Sequence, residues 1–263
     1  MSKMIFSDID GTLITSELII SEKTQQAIRR RVQAGDWFVP ISARMPEAIH
    51  PILDGLALAY PLVSFNGALV QDHEGKVLFS HPFSADLAHD ICVYIEGEWQ
   101  SIAWNAYSYG HWYSQNRENY WVNREEEVVG LESRTLALSD LPKIKEVHKL
   151  LIMGEPSEID QLEQVLVERY PALSIAKSFP SYIEIMAQGI DKGQAVGLLA
   201  DHYGIPIEET LAFGDNFNDL PMLLAVGQGY AMGNAPEAVK AQVGLVTADH
   251  NHNGIAQVLE KLS

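Results

Sequence analysis

Lys3-Met4-Ile5-Phe6-Ser7-Asp8-Ile9-Asp10-Gly11-Thr12-Leu13 decides how this chain is read. A short apolar run passes directly into Asp-x-Asp-Gly-Thr, the pattern of a buried strand running into a turn. Downstream, Ser21 is a candidate N-cap, and Ala27, Ile28 and Val32 recur at helical spacing until Gly35 ends the helix. Trp37 to Ser42 reads as a second strand, Met45 to Leu53 as a helix with Pro46 at its start, and Pro61 to Ser64 as a third strand. This β-α-β-α-β order with short connections predicts a parallel sheet covered by helices.

From about Phe83 the pattern changes. Ser84 to Glu98 reads as a helix, and Ser101 to Tyr109 with His111 to Ser114 as a hairpin turning at Gly110, an element foreign to a purely parallel sheet. Eight aromatics lie between Trp99 and Trp121, and the base rates of burial place them against the helices of their own sheet. A strand over Lys149 to Met153, a helix over Ser157 to Tyr170, and strands over Leu173 to Ser178 and Tyr182 to Met186 complete an α+β segment. Alternation then resumes, with helices over Asp191 to Tyr203, Leu220 to Val226 and Pro236 to Gln242. The strands between and after them are Thr210 to Phe213, Gly229 to Met232 and one near Val246. Residues 1 to 82 and 188 to 263 are thus expected to form one discontinuous α/β core, interrupted by an insert over 83 to 187.

The 263 residues suffice for two unequal domains. A net charge of −17 disfavours nucleic acid and anionic membranes as partners, so a phosphorylated ligand would need local positive charge at its site. The single cysteine, Cys92, permits no intrachain disulfide and reads as a small core residue. No run approaches eighteen apolar residues, and the N-terminal segment turns acidic at Asp8 before a signal-peptide apolar region is built. The expectation is a cytoplasmic protein, as a monomer or small homo-oligomer.

Two acidic constellations follow apolar strands, at the strand ends where open parallel sheets bind ligands. Asp8 and Asp10, two residues apart on an extended chain, would point the same way, with Gly11 letting the backbone turn off. Gly214-Asp215-Asn216-Phe217-Asn218-Asp219 supplies further hard oxygen donors of the kind that suit magnesium. Taken alone, the first is also an ordinary Asp-Gly turn and the second an Asx-rich loop capping the next helix. Ser42 at the end of the second strand and Lys192 at the start of a helix are smaller signals, each ordinarily structural or solvated. The acidic run Glu125-Glu126-Glu127 and the run His250-Asn251-His252 read as solvated surface.

Taken in order, Asp8-x-Asp10-Gly11-Thr12-Leu13, Ser42, Lys192 and Gly214-Asp215-x-x-Asn218-Asp219 resemble the four motifs of the haloacid dehalogenase (HAD) superfamily. Within it, the chain is similar to the Cof-type subfamily IIB phosphatases, whose α+β (C2-type) cap is inserted after the third strand. Asn66-Gly67-Ala68, Met222-Leu223, Ala231-Met232-Gly233-Asn234-Ala235 and Val239-Lys240 extend the likeness along the chain, most strongly in the core. Two departures are Ala43 where the family commonly has glycine and Asn253-Gly254 for a frequent Asp-Gly.

The resemblance implies a Rossmann-like core and a magnesium-dependent phosphatase acting on a small phosphorylated metabolite, such as a sugar phosphate. In that scheme Asp8 is the nucleophile and Asp10 the general acid and base. Mg2+ is held by Asp8, the Asp10 carbonyl and Asp215. Ser42 and Lys192 hold the phosphoryl group, Asn218 and Asp219 orient Lys192 or metal-bound water, and Arg44 and Asn66 are further substrate-side candidates. Gly11, Thr12 and Gly214 support the loops. The insert would close over the site and set specificity. A phosphomutase of the same superfamily shares these groups, and a ligand-sensing protein without turnover would not need all of them.

Overall fold

The computed structural model describes residues 2–262. Strand β1 (Met4–Asp8) is buried along its length, as a continuous apolar run in a parallel sheet should be. A tight turn at Ile9–Leu13 leads towards helix α1 (Glu22–Gln33), whose N-cap is Ser21, with Oγ accepting from Thr24 N at 3.2 Å. Strand β2 (Trp37–Ile41), helix α2 (Pro46–Leu53) and strand β3 (Leu62–Ser64) follow. Two strands that the sequence reading lacked then fold back, β4 (Leu69–Gln71) antiparallel to β3 and β5 (Val77–Ser80) antiparallel to β4. The core sheet is therefore parallel with an antiparallel extension.

The residues His81–Ile190 form a compact unit of their own. Its elements are β6 (Phe83–Ser84), α3 (Ala85–Glu98), β7 (Ala103–Ser108), β8 (His111–Ser114), α4 (Tyr120–Val129) and β9 (Arg134–Thr135). They continue as β10 (Glu146–Val147), β11 (Lys149–Met153), α5 (Pro156–Arg169), β12 (Leu173–Phe179) and β13 (Tyr182–Ala187). Six of these strands form a sheet in the order β12-β13-β11-β7-β8-β9. Apolar residues of α3 and α5, Cys92 among them, bury one face of it against Trp104, Leu150, Ile152 and Ile185. Trp104, Trp99 and Tyr113 join that core, as expected for aromatics backed by their own helices. Tyr107 and Trp112 do not: they stack on each other, 5.6 Å between centroids, at alternate positions that put them on the opposite face.

Helix α4 is likewise absent from the sequence expectation, and it revises the reading of the acidic run. Glu126 is half-buried and takes a two-bond contact from Arg117 at 2.9 and 3.0 Å, while Glu125 accepts from Tyr182 Oη at 2.8 Å. These side chains fasten the helix instead of standing in solvent; only Glu127 of the three is exposed.

The chain then returns to the first unit, which comprises Met1–Ser80 and Asp191–Ser263. Helix α6 (Lys192–Tyr203), strand β14 (Thr210–Gly214), helix α7 (Leu220–Ala225), strand β15 (Gln228–Ala231) and helices α8 (Glu237–Val243) and α9 (Gly254–Leu259) complete it. Val246 makes a single parallel bridge to Ala231, not the strand expected there. The sheet order is β15-β14-β1-β2-β3-β4-β5, so β1 lies between β14 and β2 and is parallel to both. Residues of α1, α2 and α9 pack on one face around Ile5 and Phe213, and residues of α6, α7 and α8 on the other around Met4, Phe6 and Ala212. Parallel pairing brings the carboxyl ends of β1, β2 and β14 to one edge, and Asp8, Ser42 and Asp215 all stand at that edge.

Candidate active site

Asp8 is the last residue of β1 and is 6% exposed. The chain leaves the extended conformation immediately afterwards, and Gly11 sits at φ +77°, in the left-handed region. The alternation expected to aim Asp8 and Asp10 alike is replaced by this turn. Asp8 is buried, whereas Asp10 is exposed and bound by Arg44, with Nε donating to Oδ2 at 2.8 Å and Nη2 to Oδ1 at 2.7 Å. A Cβ at position 11 would lie 2.5 Å from Asp215 Oδ2, so glycine is also what lets the two acidic loops meet.

Lys192 opens α6, whose N-cap Asp191 accepts from Gln194 N at 3.0 Å. Its side chain has no solvent exposure, and Nζ donates to Asp8 Oδ1 at 2.5 Å and to Asp219 Oδ1 at 2.6 Å. The other oxygen of Asp219 accepts from the backbone N–H groups of Asp215 and Asn216, both at 2.9 Å. A buried ammonium is tolerated only when it is paired and hydrogen-bonded, and here it is both. Gly214 makes room for this arrangement, because a Cβ there would stand 2.5 Å from that of Asp219.

Carboxylate oxygens of Asp8, Asp215 and Asp219 lie within 4.8 Å of one another. Three carboxylates against one ammonium leave two negative charges, which one divalent cation would balance. Asp219 has both oxygens engaged by Lys192 and backbone amides, so Asp8 and Asp215 are the side chains suited to a hard cation. Their acidities carry the same signature. Burial raises the Asp8 pKa well above the usual carboxylate range, opposed by Lys192 and reinforced by Asp219 and Asp215. Burial likewise raises that of Asp215, against the hydrogen bond it accepts from Thr12 Oγ1 at 2.9 Å. For Lys192 burial disfavours the charge, yet the two flanking carboxylates more than offset it and hold its pKa above the ordinary lysine value.

Ser42 is buried, and its Oγ accepts from Arg44 N at 3.1 Å while its carbonyl accepts from Asn66 N at 2.9 Å. It shapes the loop, and its hydroxyl keeps a proton that can be donated to a phosphoryl oxygen. Phe65 and Asn66 adopt positive φ values of 51° and 54°, a costly conformation for residues with a Cβ and one that concentrates at functional sites. Asn218 is exposed and lies across from Asn66, Nδ2 to Oδ1 at 3.5 Å, at the long limit for a hydrogen bond. It is thus Asp219, and not Asn218, that bonds Lys192.

Asn234, in the loop after β15, was not read as a site residue. Its Nδ2 donates to Gly11 O at 2.9 Å and to Asp215 Oδ2 at 3.2 Å. In the sequence the run Met232-Gly233-Asn234-Ala235 carries the family likeness alone, and its place after a parallel strand at the same sheet edge is the signal that points to it.

A mostly parallel α/β sheet with an acidic cluster and a buried lysine at its carboxyl edge, and an α+β unit inserted after β5, defines a phosphatase of the HAD type. The haloacid dehalogenase-like hydrolase family matches residues 5–259, and the chain belongs to that family. A putative phosphatase of Haemophilus influenzae is 38% identical, over 99% of this chain and 98% of its own. A pyridoxal phosphate phosphatase of Escherichia coli is 29% identical, over 98% and 97%. The structure of a HAD subclass IIB sugar phosphatase superposes with a TM-score of 0.82 at 25% identity, covering 98% of each chain. The chain is accordingly a phosphoric monoester hydrolase of the HAD superfamily. No helix among the described residues is long and apolar enough to cross a membrane.

Proposed function

We propose that this protein is a magnesium-dependent phosphatase that hydrolyses small phosphorylated metabolites through an aspartyl-phosphate on Asp8. The observation that carries this reading is the Asp8 carboxylate, fixed through one oxygen by Lys192 Nζ at 2.5 Å within the cluster it forms with Asp215 and Asp219. Anchoring one oxygen turns the other towards an incoming phosphorus without a rotational search. Mg2+ would be held by Asp8, Asp215 and the Asp10 carbonyl, and when bound it offsets the repulsion between a carboxylate and an anionic phosphoryl group.

The remaining steps belong to the chain's own side chains. Asp8 attacks phosphorus, an O–P bond forms, and the bond from phosphorus to the leaving oxygen breaks. Asp10 delivers the proton to that oxygen, then takes one from the water that cleaves the aspartyl-phosphate, so free phosphate is released and Asp8 restored. Asp10 must part from Arg44 to do this, because both of its carboxylate oxygens are engaged by guanidinium donors. Arg44 then serves the substrate phosphate, beside Ser42 and Lys192.

The related pyridoxal phosphate phosphatase and sugar phosphatase support a small phosphate monoester as substrate. The test is a phosphate-release screen over phosphorylated metabolites, sugar phosphates included, with and without Mg2+. Turnover should require the ion and should fall by roughly three orders of magnitude or more in Asp8→Asn. Unchanged turnover in that variant rejects Asp8 as the nucleophile, and transfer to a second hydroxyl without free phosphate would indicate a mutase.

A further inference from the structure

Asp215 is held by two donors from distant parts of the chain. Thr12 Oγ1 reaches its Oδ1 at 2.9 Å, and Asn234 Nδ2 reaches its Oδ2 at 3.2 Å. The Asn234 amide also donates to Gly11 O at 2.9 Å, so its two protons are divided between a carboxylate and a carbonyl. Its oxygen accepts from His250 N at 3.3 Å. The orientation of the amide follows from these partners: turned over, its oxygen would face two acceptors and its nitrogen a donor.

From this geometry we infer that Asn234 is a positioning residue for the cation site, one that fixes the Asp215 carboxylate and the Gly11 turn in a single arrangement. The inference rests on the magnesium reading given above and adds a residue to it. Asp215 is joined to β14 through its own backbone, yet its carboxylate would be free to rotate about χ2 without these donors. Neutral donors suit the task. A lysine here would neutralise the charge that attracts the cation, and an aspartate would meet Asp215 as a second acceptor. Groups that orient a metal-binding carboxylate typically change metal affinity by 10–100-fold when removed.

Asn234 also joins the acidic edge to the loop after α8. There Asn251 Oδ1 accepts from Ser16 N at 2.9 Å and Asn251 Nδ2 donates to Ser16 Oγ at 3.0 Å. A merely structural role would be to tether that loop, and the two roles separate experimentally. Mn2+, which takes the same hard oxygen ligands, is titrated into the full-length protein and the free ion is read by its electron paramagnetic resonance signal, with Mg2+ as competitor. Asn234→Ala should weaken Mn2+ and Mg2+ binding about tenfold. Asn234→Ser, too short to reach Asp215, should do the same, and Asn251→Ala should bind as the wild type does.

Wild-type affinity in both folded Asn234 variants overturns the inference and leaves the magnesium reading intact. Equal weakening by Asn251→Ala also overturns it, because loop tethering would then account for the effect. Failure of the wild type itself to bind either ion overturns both readings.

Discussion

Asp219 holds Lys192: its Oδ1 accepts from Nζ at 2.6 Å while its Oδ2 ties down the amides of Asp215 and Asn216. One carboxylate thus fixes both the buried cation and the loop that carries Asp215. Removing one partner of a buried pair leaves an uncompensated charge, whereas Asn in its place keeps an acceptor. Asp219→Ala should lose about 3–5 kcal/mol of stability, partly relieved by Asp8, with Asp219→Asn losing less. Urea unfolding measures this, and a loss below about 1 kcal/mol for Asp219→Ala would contradict the account.

Gly11 stands at φ +77° with space for no Cβ beside Asp215. Gly11→Ala must move either the turn or the Asp215 carboxylate, and both bear on the acidic cluster. The expected result is a folded protein with Mg2+ affinity weakened about tenfold or more, read from the Mg2+ dependence of its melting temperature. A variant with wild-type affinity would show that the two loops can separate without consequence.

The parallel sheet and most of its elements were legible because they rest on local pattern: apolar runs for β1, β2 and β14, and a Ser cap for α1. Helix α4 was hidden by its composition. Its start at Asn119, whose Oδ1 accepts from Trp121 N at 2.9 Å, and its end at Gly130 with φ +73° were ordinary cap signals, outweighed by the aromatics around them. Strand β4, three residues long, has too few positions to show a period. In the site, motif order pointed to Asp8, Lys192 and Asp215. Pattern could not give the pairing of Arg44 with Asp10 or the reach of Asn234, because both depend on side-chain conformations set by distant segments.

Arg44 and Asp10 form a two-bond ion pair whose carboxylate is half in solvent. Exposed pairs contribute about 0–1 kcal/mol to stability, so the pair's importance lies in the reaction and not in the fold. Arg44→Ala should leave the melting temperature nearly unchanged and raise KM for a phosphate monoester about tenfold or more, the loss expected for a hydrogen bond to a charged group. A fall in kcat with KM unchanged would mean that Arg44 serves Asp10 alone.

His148 of the inserted unit is fully buried and accepts from Tyr109 N through Nδ1 at 3.2 Å, which requires that nitrogen to be unprotonated. Burial lowers its pKa from 6.5 to about 4, against a smaller opposing pull from Glu146. Unfolded chains protonate this histidine near 6.5 and the folded protein resists until about 4, so the unfolded state binds more protons between those values. Stability is therefore unaffected by this group above pH 6.5, falls as pH drops towards 4, and levels off below it, a total of about 3 kcal/mol. His148→Asn keeps an acceptor for Tyr109 N and does not titrate. Chemical unfolding at a series of pH values should show the variant losing less stability than the wild type across that window, with a slope shallower by up to about 1.4 kcal/mol per pH unit. Parallel profiles for the two proteins would mean that His148 is protonated in the fold and that the Tyr109 contact is not what holds it.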